Sequence, residues 1–213
     1  MRASILLQNG AVDDAQEWDT RYGRADRVWS GRPNGSVVAE VADLAPGSAL
    51  DVGCGEGADA VWLALRGWRV TALDVSGVAL QRGREAAEAA GAEVEWVHAG
   101  LVEAALPGGS FDLVSVQYPA LRRTPGNDAV RALLEAVAPG GTLLVVHHAD
   151  VDGAHALSRG FDPEDYVSSD DVAEALGSGW KLELRERRPR DVPPSGGGTH
   201  HTHDLVLRAV RTA

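Results

Sequence analysis

Short apolar or alternating runs along the chain predict seven β-strands. Glu93–Val97 alternates between polar and apolar residues, whereas Thr142–His147 is an apolar run. The first predicted strand, Ala49–Val52, leads directly into a glycine-rich turn. The remaining predicted strands are Arg69–Leu73, Phe111–Gln117, Trp180–Arg188 and Asp204–Arg211.

Segments with helical spacing separate several of these strands. Gly91 follows one of them in the position of a C-cap, and Ser168, Ser169 and Asp170 are possible caps for another. The alternation of strands and helices predicts an α/β fold with a mostly parallel sheet. Ligands of such sheets bind outside the carboxyl ends of the strands, so the residues at those ends are the functional candidates. The predicted helices are Ala58–Arg66, Ser76–Ala90, Asp128–Ala138 and Ser169–Leu176.

The turn after the first strand is the most informative segment, because Gly53, Gly55 and Gly57 alternate with other residues there. Without Cβ atoms the backbone can approach a ligand closely, and the following helix offers free N–H groups. Asp74 ends the second strand 21 residues after Gly53, close to the spacing of a ribose-binding acid in nucleotide-binding βαβ units. The alternative is that Asp74 merely caps the helix that starts near Ser76. Turn and acid together predict an adenosine-type ligand.

Asp51 distinguishes between two kinds of adenosine ligand. It lies two residues before Gly53, where a carboxylate would repel a pyrophosphate but would suit a ligand that carries an ammonium group. The glycines are also spaced by single residues, whereas dinucleotide-binding folds favour G-x-G-x-x-G. The pattern therefore disfavours a nicotinamide oxidoreductase.

Several stretches of the chain resemble the motifs of class I S-adenosylmethionine (SAM)-dependent methyltransferases. They are Asp51–Gly57, Asp74–Ser76, Leu106–Val114 and Pro139–Leu143, and the resemblance covers residues 36–148. It implies a Rossmann-like, seven-stranded and mostly parallel sheet with an antiparallel last strand and helices on both faces. It also implies SAM as cofactor and S-adenosylhomocysteine (SAH) as product. The cofactor-binding residues that it implies are Asp51, Gly53, Cys54, Gly55, Gly57, Asp74, Val75, Gly100, Leu101 and Gln117.

Gly100 departs from the pattern of this family. These methyltransferases usually carry an Asp after the third strand, and that Asp accepts a hydrogen bond from the adenine amino group. In this chain Gly100 occupies the aligned position. The missing acid has three possible explanations: Glu103 replaces it, a backbone carbonyl replaces it, or the alignment is shifted. The adenine end of the predicted site is therefore its least defined part.

Residues 1–35 are expected to form a lid ahead of a SAM-binding domain at residues 36–213. Trp18 and Tyr22 are four residues apart, which places them on one helix face, and Trp29 follows. The segment resembles the N-terminal lid of small-molecule methyltransferases related to the tellurite-resistance and thiopurine enzymes. Aromatic faces suit the sulfonium of SAM, and an arginine suits its methionyl carboxylate. The alternative is that the aromatic residues only anchor an N-terminal helix onto the domain. The candidate arginines are Arg21, Arg24, Arg27 and Arg32.

Tyr118, His147 and His148 are the predicted catalytic residues, at the ends of the fourth and fifth strands. Tyr118 is expected to line the path of the methyl group. In the class I topology the last strand lies beside the fifth, so the histidines before it would approach His147 and His148. Such a group offers a general base, a divalent metal site or a polar rim of the pocket, and no metal ligand is assigned. The histidines before the last strand are His200, His201 and His203.

Composition narrows the partners and the compartment. The 213 residues carry a net charge of −11, which argues against a nucleic-acid partner. Cys54 is the only cysteine, so neither an intrachain disulfide nor a cysteine-based zinc site is expected. No apolar run has the length of a membrane span, and Met1–Gly10 lacks the apolar core of a signal peptide.

We therefore expect a cytoplasmic enzyme, monomeric or homodimeric, that methylates a small-molecule sulfur, selenium, nitrogen or oxygen nucleophile. Two alternatives remain open at this point. One is a metal-assisted SAM methyltransferase that uses the histidine group. The other is a non-catalytic, SAM-binding regulatory protein.

Overall fold

The computed structural model describes residues 14–158, 161–192 and 198–212. Its strands are β1 (Ser48–Val52), β2 (Arg69–Asp74), β3 (Val94–His98), β4 (Phe111–Gln117), β5 (Val137–His148), β6 (Trp180–Pro189) and β7 (His203–Arg211). They form one sheet in the order β3-β2-β1-β4-β5-β7-β6. The pairs among β1 to β5 are parallel, and β7 runs antiparallel to both β5 and β6. The predicted Rossmann-like sheet with an antiparallel last strand is confirmed.

Helices cover both faces of the sheet. They are α1 (14–23), α2 (Gly35–Val41), α3 (Ala58–Ala64), α4 (Gly77–Ala90), α5 (Asp128–Ala136), α6 (Gly153–Ser158) and α7 (Ser169–Ala175), with a 3₁₀ turn at Pro163–Asp165. One hydrophobic core lies beneath α2 and α3, and the other lies beneath α5 and α7. Within the part of the chain that the structure describes, no helix is both long enough and apolar enough to cross a bilayer.

β5 contributes side chains to both cores. Successive side chains of a strand point to opposite faces of the sheet. Leu143 and Val145 accordingly join the core beneath α5 and α7, while Leu144 and Val146 join the core beneath α2 and α3. All four side chains are buried. A continuous apolar run is therefore what this strand requires, because neither of its faces meets water.

The boundary between α5 and β5 differs from the sequence prediction. The helix was expected to continue to Ala138 and the strand to begin at Thr142. Instead, Val137 already belongs to β5 and pairs with Phe111. Pro139 explains the early end of the helix, because a proline disfavours helical backbone at the residue before it.

The other helix ends agree with the sequence except where elements are very short. Gly91, with φ +68°, is the C-cap of α4, and Ser168 caps α7 in a capping box with Asp171. The helices α2 and α6, of seven and six residues, were not predicted. Met1–Gly10 lies outside the described residues, and so do residues 193–197 between β6 and β7.

Replacement of Leu144 by Ala tests how much β5 contributes to stability. Leu144 is fully buried, and such changes in protein cores cost about 2–5 kcal/mol. We expect urea denaturation of Leu144→Ala to show that loss with an unchanged m-value. The control is Leu182→Ala on β6, because Leu182 is 45% exposed and its loss should stay within about 0.5 kcal/mol. Equal losses in the two variants would contradict the central role of β5.

Candidate functional site

Three glycines shape the turn between β1 and α3. Gly53, Gly55 and Gly57 have φ angles of +68°, +54° and +77°, in the left-handed region that glycine adopts without strain. The amides of Gly53 and Cys54 both donate to the carbonyl of Leu73, at 2.9 and 3.0 Å, which fixes the turn against the end of β2. The residues predicted to cradle a ligand thus lie together at the carboxyl edge of the sheet.

Asp51 lies beneath this turn with 2% of its surface exposed. No described residue forms a hydrogen bond with its Oδ2 atom. Burial, followed by the negative charges of Asp59 and Asp74, raises the pKa of the Asp51 carboxyl well above its ordinary value. A positive charge nearby stabilises such a buried carboxylate, so the space next to the turn suits a cation.

Asp74, at the end of β2, links the turn to α4. One of its oxygens accepts a hydrogen bond from the Gly55 amide and the other from the Ser76 amide, both at 2.8 Å. Burial raises the pKa of Asp74, although these two bonds act in the opposite direction. Ser76 is the N-cap of α4, since its hydroxyl accepts from the Ala79 amide, so Asp74 is not the helix cap. Each Asp74 oxygen keeps a lone pair for a ligand hydroxyl.

Two further acids, which the sequence reasoning missed, tie the turn to the N-terminal segment, residues 14–34. Asp59 accepts from the backbone amide and the side-chain amide of Asn34, both at 2.7 Å. Glu56 accepts from the Trp29 amide at 2.9 Å and forms an ion pair with Arg82 of α4, also at 2.9 Å. The only sequence signal for these contacts was that both acids stand within or next to the glycine turn.

Contacts with α4 hold the N-terminal segment from the other side. Arg82 donates to the backbone carbonyls of Tyr22 and Ala25, at 2.9 and 2.6 Å. Asp19 of α1 accepts from the Ser76 hydroxyl at 2.6 Å. Because these contacts join α1 and the loop after it to α4, the segment lies over the glycine turn.

The predicted aromatic residues meet the turn directly. Trp29 donates its indole N–H to the Tyr22 hydroxyl at 2.8 Å, and a Cβ on Gly55 would lie 2.8 Å from the same hydroxyl. Trp18 packs beside Tyr22, with 6.0 Å between the ring centroids. The Arg21 guanidinium lies 4.9 Å from the Trp18 centroid and 5.4 Å from that of Trp29. Arg21 is therefore the candidate arginine that lies beside these rings.

Gly100 and Leu101, the residues predicted to lie at the adenine end of a cofactor, follow β3. Leu101 is buried, with 5% of its surface exposed. Glu103 turns its carboxylate onto Gly100, so that a Cβ at residue 100 would collide with it. The same Cβ position lies 3.8 Å from Val75, the residue after Asp74. Glu103 thus occupies the neighbourhood in which the family's acid was expected.

Tyr118 follows β4 in a left-handed backbone conformation, with φ +51°. Few residues other than glycine adopt this conformation, and it often marks functional sites. The Tyr118 hydroxyl donates to Asp204 of β7 at 2.9 Å. Before it, Gln117 donates to the Ser115 hydroxyl at 3.2 Å, while its Oε1 has no hydrogen-bond partner among the described residues. Both side chains therefore lie at the edge where β4 ends.

Three of the five histidines that the sequence placed in one group come together beside Tyr118. The His148 ring stacks on Tyr118 with 4.2 Å between centroids, and on its other face it stacks on His201 at 3.7 Å. His200 contacts His201 at 4.0 Å. Burial, together with the nearby His148 and His200, lowers the pKa of His201 to about 4. His201 is therefore uncharged near neutral pH.

The other two histidines lie elsewhere. His147 is adjacent to His148 in β5 and so points to the opposite face, where its Nε2 bonds the Val167 carbonyl at 3.0 Å. Burial lowers the pKa of His147. His203 lies 3.7 Å from Asp150. The structure therefore separates His147 from the group to which the sequence assigned it.

The histidine group does not have the geometry of a metal site. Across residues 14–158, 161–192 and 198–212, no three His, Cys, Asp or Glu side chains are placed to hold a metal ion. The rings of His148 and His201 are inclined by only 12°. Nearly parallel stacked rings direct their nitrogen lone pairs along separate planes, whereas zinc requires ligands that converge on one point.

Residues 49–141 match the family model described as a methyltransferase domain. An uncharacterized methyltransferase of Mycobacterium tuberculosis is 36% identical to the chain over 123 residues. That alignment covers 57% of this chain and 61% of the relative. The chain thus spans less than two thirds of the length of this relative.

Solved structures match nearly the whole chain. One, from work on the conversion of a disulfide bond into a thioacetal group during echinomycin biosynthesis, is 25% identical, with a TM-score of 0.72 and coverage of 93% of this chain and 92% of that protein. The fold is one that solved methyltransferases share. Another is the Burkholderia thailandensis 1,6-didemethyltoxoflavin-N1-methyltransferase with 1,6-didemethyltoxoflavin and SAH bound. It is 18% identical, with a TM-score of 0.64 and coverage of 100% of this chain and 90% of that protein.

The buried acids of the methyltransferase fold predict how stability depends on pH. A carboxyl whose pKa is raised on folding destabilises the fold increasingly as the pH rises above its unfolded value of about 4. We expect Asp51→Asn to stabilise the ligand-free protein near pH 7 by about 1 kcal/mol, a rise in Tm of roughly 2–4 °C, and to change little near pH 4. Differential scanning calorimetry across this range measures the effect.

Asp112→Asn is the control, with the opposite sign. Hydrogen bonds from the amide and the hydroxyl of Ser48, both at 2.8 Å, lower the pKa of Asp112. Its stabilising contribution is present above the unfolded pKa of about 4 and is lost as the pH falls below it. Asp112→Asn should therefore lower the Tm near pH 7 and change the Tm less below about pH 4. If both variants respond to pH in the same way, our account of Asp51 is wrong.

Proposed function

We propose that this protein is a SAM-dependent methyltransferase that acts on a small molecule. The observation that carries the proposal is Asp51, a buried carboxylate with an unpartnered oxygen below a three-glycine turn. A ligand with an ammonium group and an adenosyl group would neutralise Asp51 and reach Asp74 at the same time. The methyltransferase-domain match of residues 49–141, and SAH in a protein of the same fold, support SAM as that ligand.

The residues around the turn fit the polar parts of SAM. We assign Asp51 to the ammonium group and Asp74 to the ribose hydroxyls, with the amides of the turn facing the methionyl part. Bound SAM supplies a methyl group on a positively charged sulfur, which is already a good leaving group. The chain then needs mainly to position the acceptor in line with that methyl and to exclude water.

At the other end of the cofactor we assign the adenine to the space between Val75 and Leu101. Glu103 then accepts the hydrogen bond from the adenine amino group, because Gly100 has no side chain to do so. The supporting contact is that the Glu103 carboxylate lies where a side chain at position 100 would begin. In this proposal, the missing side chain at Gly100 leaves room for the Glu103 carboxylate.

We propose that residues 1–35, of which the structure describes residues 14–35, form a lid on a SAM-binding domain at residues 36–213. Tyr22 and Trp29 support this division, because they lie against Gly55 of the turn. Their aromatic faces suit the sulfonium, and Arg21 beside them suits the methionyl carboxylate. A likeness to the lid of the tellurite-resistance and thiopurine methyltransferases is part of this proposal.

A small-molecule acceptor agrees with the charge of the chain and with a structural neighbour. The net charge of −11 disfavours a phosphate-rich partner. The Burkholderia thailandensis methyltransferase of the same fold holds a small molecule, 1,6-didemethyltoxoflavin, together with SAH. Tyr118 and His148, at the ends of β4 and β5, are the residues that we assign to the acceptor side. His147 faces away from them, so we give it no part in the reaction.

Isothermal titration calorimetry with SAM and SAH tests the proposal. We expect both to bind, and Asp74→Ala to weaken binding by about 10–100-fold, because hydrogen bonds to a charged group contribute about 1.5–3 kcal/mol. Asp112→Ala, away from the site, should leave the affinity unchanged. No binding of either ligand at millimolar concentration would refute the proposal. Binding without release of SAH in the presence of a broad panel of acceptors would favour the regulatory alternative.

Limited trypsin digestion tests the lid. Arg82→Ala removes the ion pair with Glu56 and two hydrogen bonds to the N-terminal segment. We expect cleavage within residues 14–34 to become about tenfold faster, since charge-assisted bonds of this kind contribute about 1.5–3 kcal/mol. SAH should slow that cleavage in the unmodified protein. The control is Arg84→Ala, an exposed position on the same helix, and equal cleavage of the two variants would argue against the lid.

A further inference from the structure

Asp204 of β7 faces His148 across the antiparallel pair of β5 and β7, in which the two residues are direct partners. Only 2% of the Asp204 surface is exposed. Its Oδ2 accepts hydrogen bonds from the hydroxyls of Tyr118, at 2.9 Å, and Ser36, at 3.3 Å. Its Oδ1 lies 3.8 Å from Nδ1 of His148, and neither atom has a hydrogen-bond partner among the described residues. Buried polar atoms are rarely left unpaired, and this Oδ1 has Nε of Arg190 at 3.9 Å as well as Nδ1 of His148 within reach of a small shift.

The His148 ring is held in one plane. It lies between Tyr118, inclined by 22°, and His201, inclined by 12°. In a ring fixed this way, a proton on Nδ1 directed at Asp204 leaves Nε2 as the nitrogen with a free lone pair. Nε2 is oriented toward Gly198 and lies 3.6 Å from the position that a Cβ of this glycine would take.

We propose that Asp204 positions His148 as the general base of methyl transfer, with Nε2 toward the acceptor. The inference rests on the proposed methyltransferase function. β4 lies between β1 and β5, so Tyr118 stands about one strand spacing, roughly 5 Å, beyond the glycine turn, and His148 stands one strand further. The pair therefore lies on the acceptor side of the cofactor site, within the reach of a small molecule.

The need for a base defines the class of acceptor. A thiolate, a carboxylate or a halide carries its lone pair at neutral pH without help. A hydroxyl or amine that still holds its proton gains from a base within hydrogen-bond distance. We therefore infer a hydroxyl or amine acceptor.

The step balances in atoms and charge. The acceptor's X–H bond breaks as its proton moves to Nε2 of His148, and the electron pair that remains on X forms the new bond to the methyl carbon. The bond between sulfur and methyl breaks, and its electrons neutralise the sulfonium to give SAH. The positive charge reappears on the His148 imidazolium, next to the Asp204 carboxylate, which stabilises it. Solvent then takes the proton.

The surroundings of His148 keep its ring neutral, and so able to accept a proton, until the acceptor reacts. Burial is the main cause that lowers the pKa of His148, and Asp204 acts in the opposite direction. The Arg190 guanidinium, 3.9 Å from Asp204 and itself 9% exposed, adds to the lowering. The remaining titratable groups packed around the ring are Tyr118, His200 and His201.

Nitrogen-15 NMR of the full-length protein with labelled histidine tests the arrangement without any acceptor. We expect His148, assigned through His148→Gln, to carry its proton on Nδ1. Asp204→Asn should abolish this preference and lower the pKa of His148 further. His147 is the internal control, since its Nε2 bonds a carbonyl and should stay protonated in both proteins. Ser36→Ala is the matched control variant, because it removes a bond to the same carboxylate but no charge.

A turnover assay with SAM and three probes, phenol, benzylamine and thiophenol, tests the class of acceptor. We expect Asp204→Asn and His148→Gln to slow SAH release with phenol or benzylamine by about 100-fold or more, and with thiophenol, which ionises unaided, only slightly. Equal losses with all three probes, or none, would overturn the proposal. If no probe is methylated, the wild-type tautomer decides, and a proton on Nε2 of His148 overturns it. Failure of SAM to bind would instead refute the methyltransferase function, while the tautomer would remain measurable.

Discussion

The burial of three carboxylates around one glycine turn is the constraint on which the rest of the site depends. Burial raises the pKa of Asp51, Asp59 and Asp74 alike. Asp59 and Asp74 are compensated by N–H groups from Asn34 and from the turn and α4, whereas one oxygen of Asp51 has no partner in the described part of the chain. A fold that leaves one oxygen of a buried acid without a partner gives up stability there, which is typical of a position reserved for a ligand.

The N-terminal segment donates hydrogen bonds to the acids of the same turn. Asn34 satisfies Asp59, and Glu56 receives the backbone of Trp29 while it pairs with Arg82. The contacts that close the segment over the turn are therefore the contacts that compensate acids within it. The N-terminal segment, the glycine turn and α4 therefore form one network of contacts.

Local patterns predicted the region around the glycine turn better than the region around Tyr118 and the histidines. The strands, the glycine turn and Asp74 are encoded in short stretches, so periodicity and spacing were sufficient for them. The pairing of Asp204 with His148 arises instead from the register between β5 and β7, which no local pattern reveals. The separation of His147 from His148 could have been predicted from the sequence, because adjacent residues of a strand face opposite sides of the sheet. The expectation that all five histidines would converge overlooked that alternation.

The reversed direction of β7 explains why the edge of the sheet near Tyr118 and His148 is so polar. In a purely parallel sheet only strand ends reach the functional edge. Because β7 runs the other way, its beginning reaches that edge, next to the end of β6, and brings Asp204 together with His201 and Arg190. The glycine turn and Asp74 lie on the other strands of the same edge. In the function that we propose, residues of the last hairpin thus act on the acceptor, while the turn, three strands away, holds the cofactor.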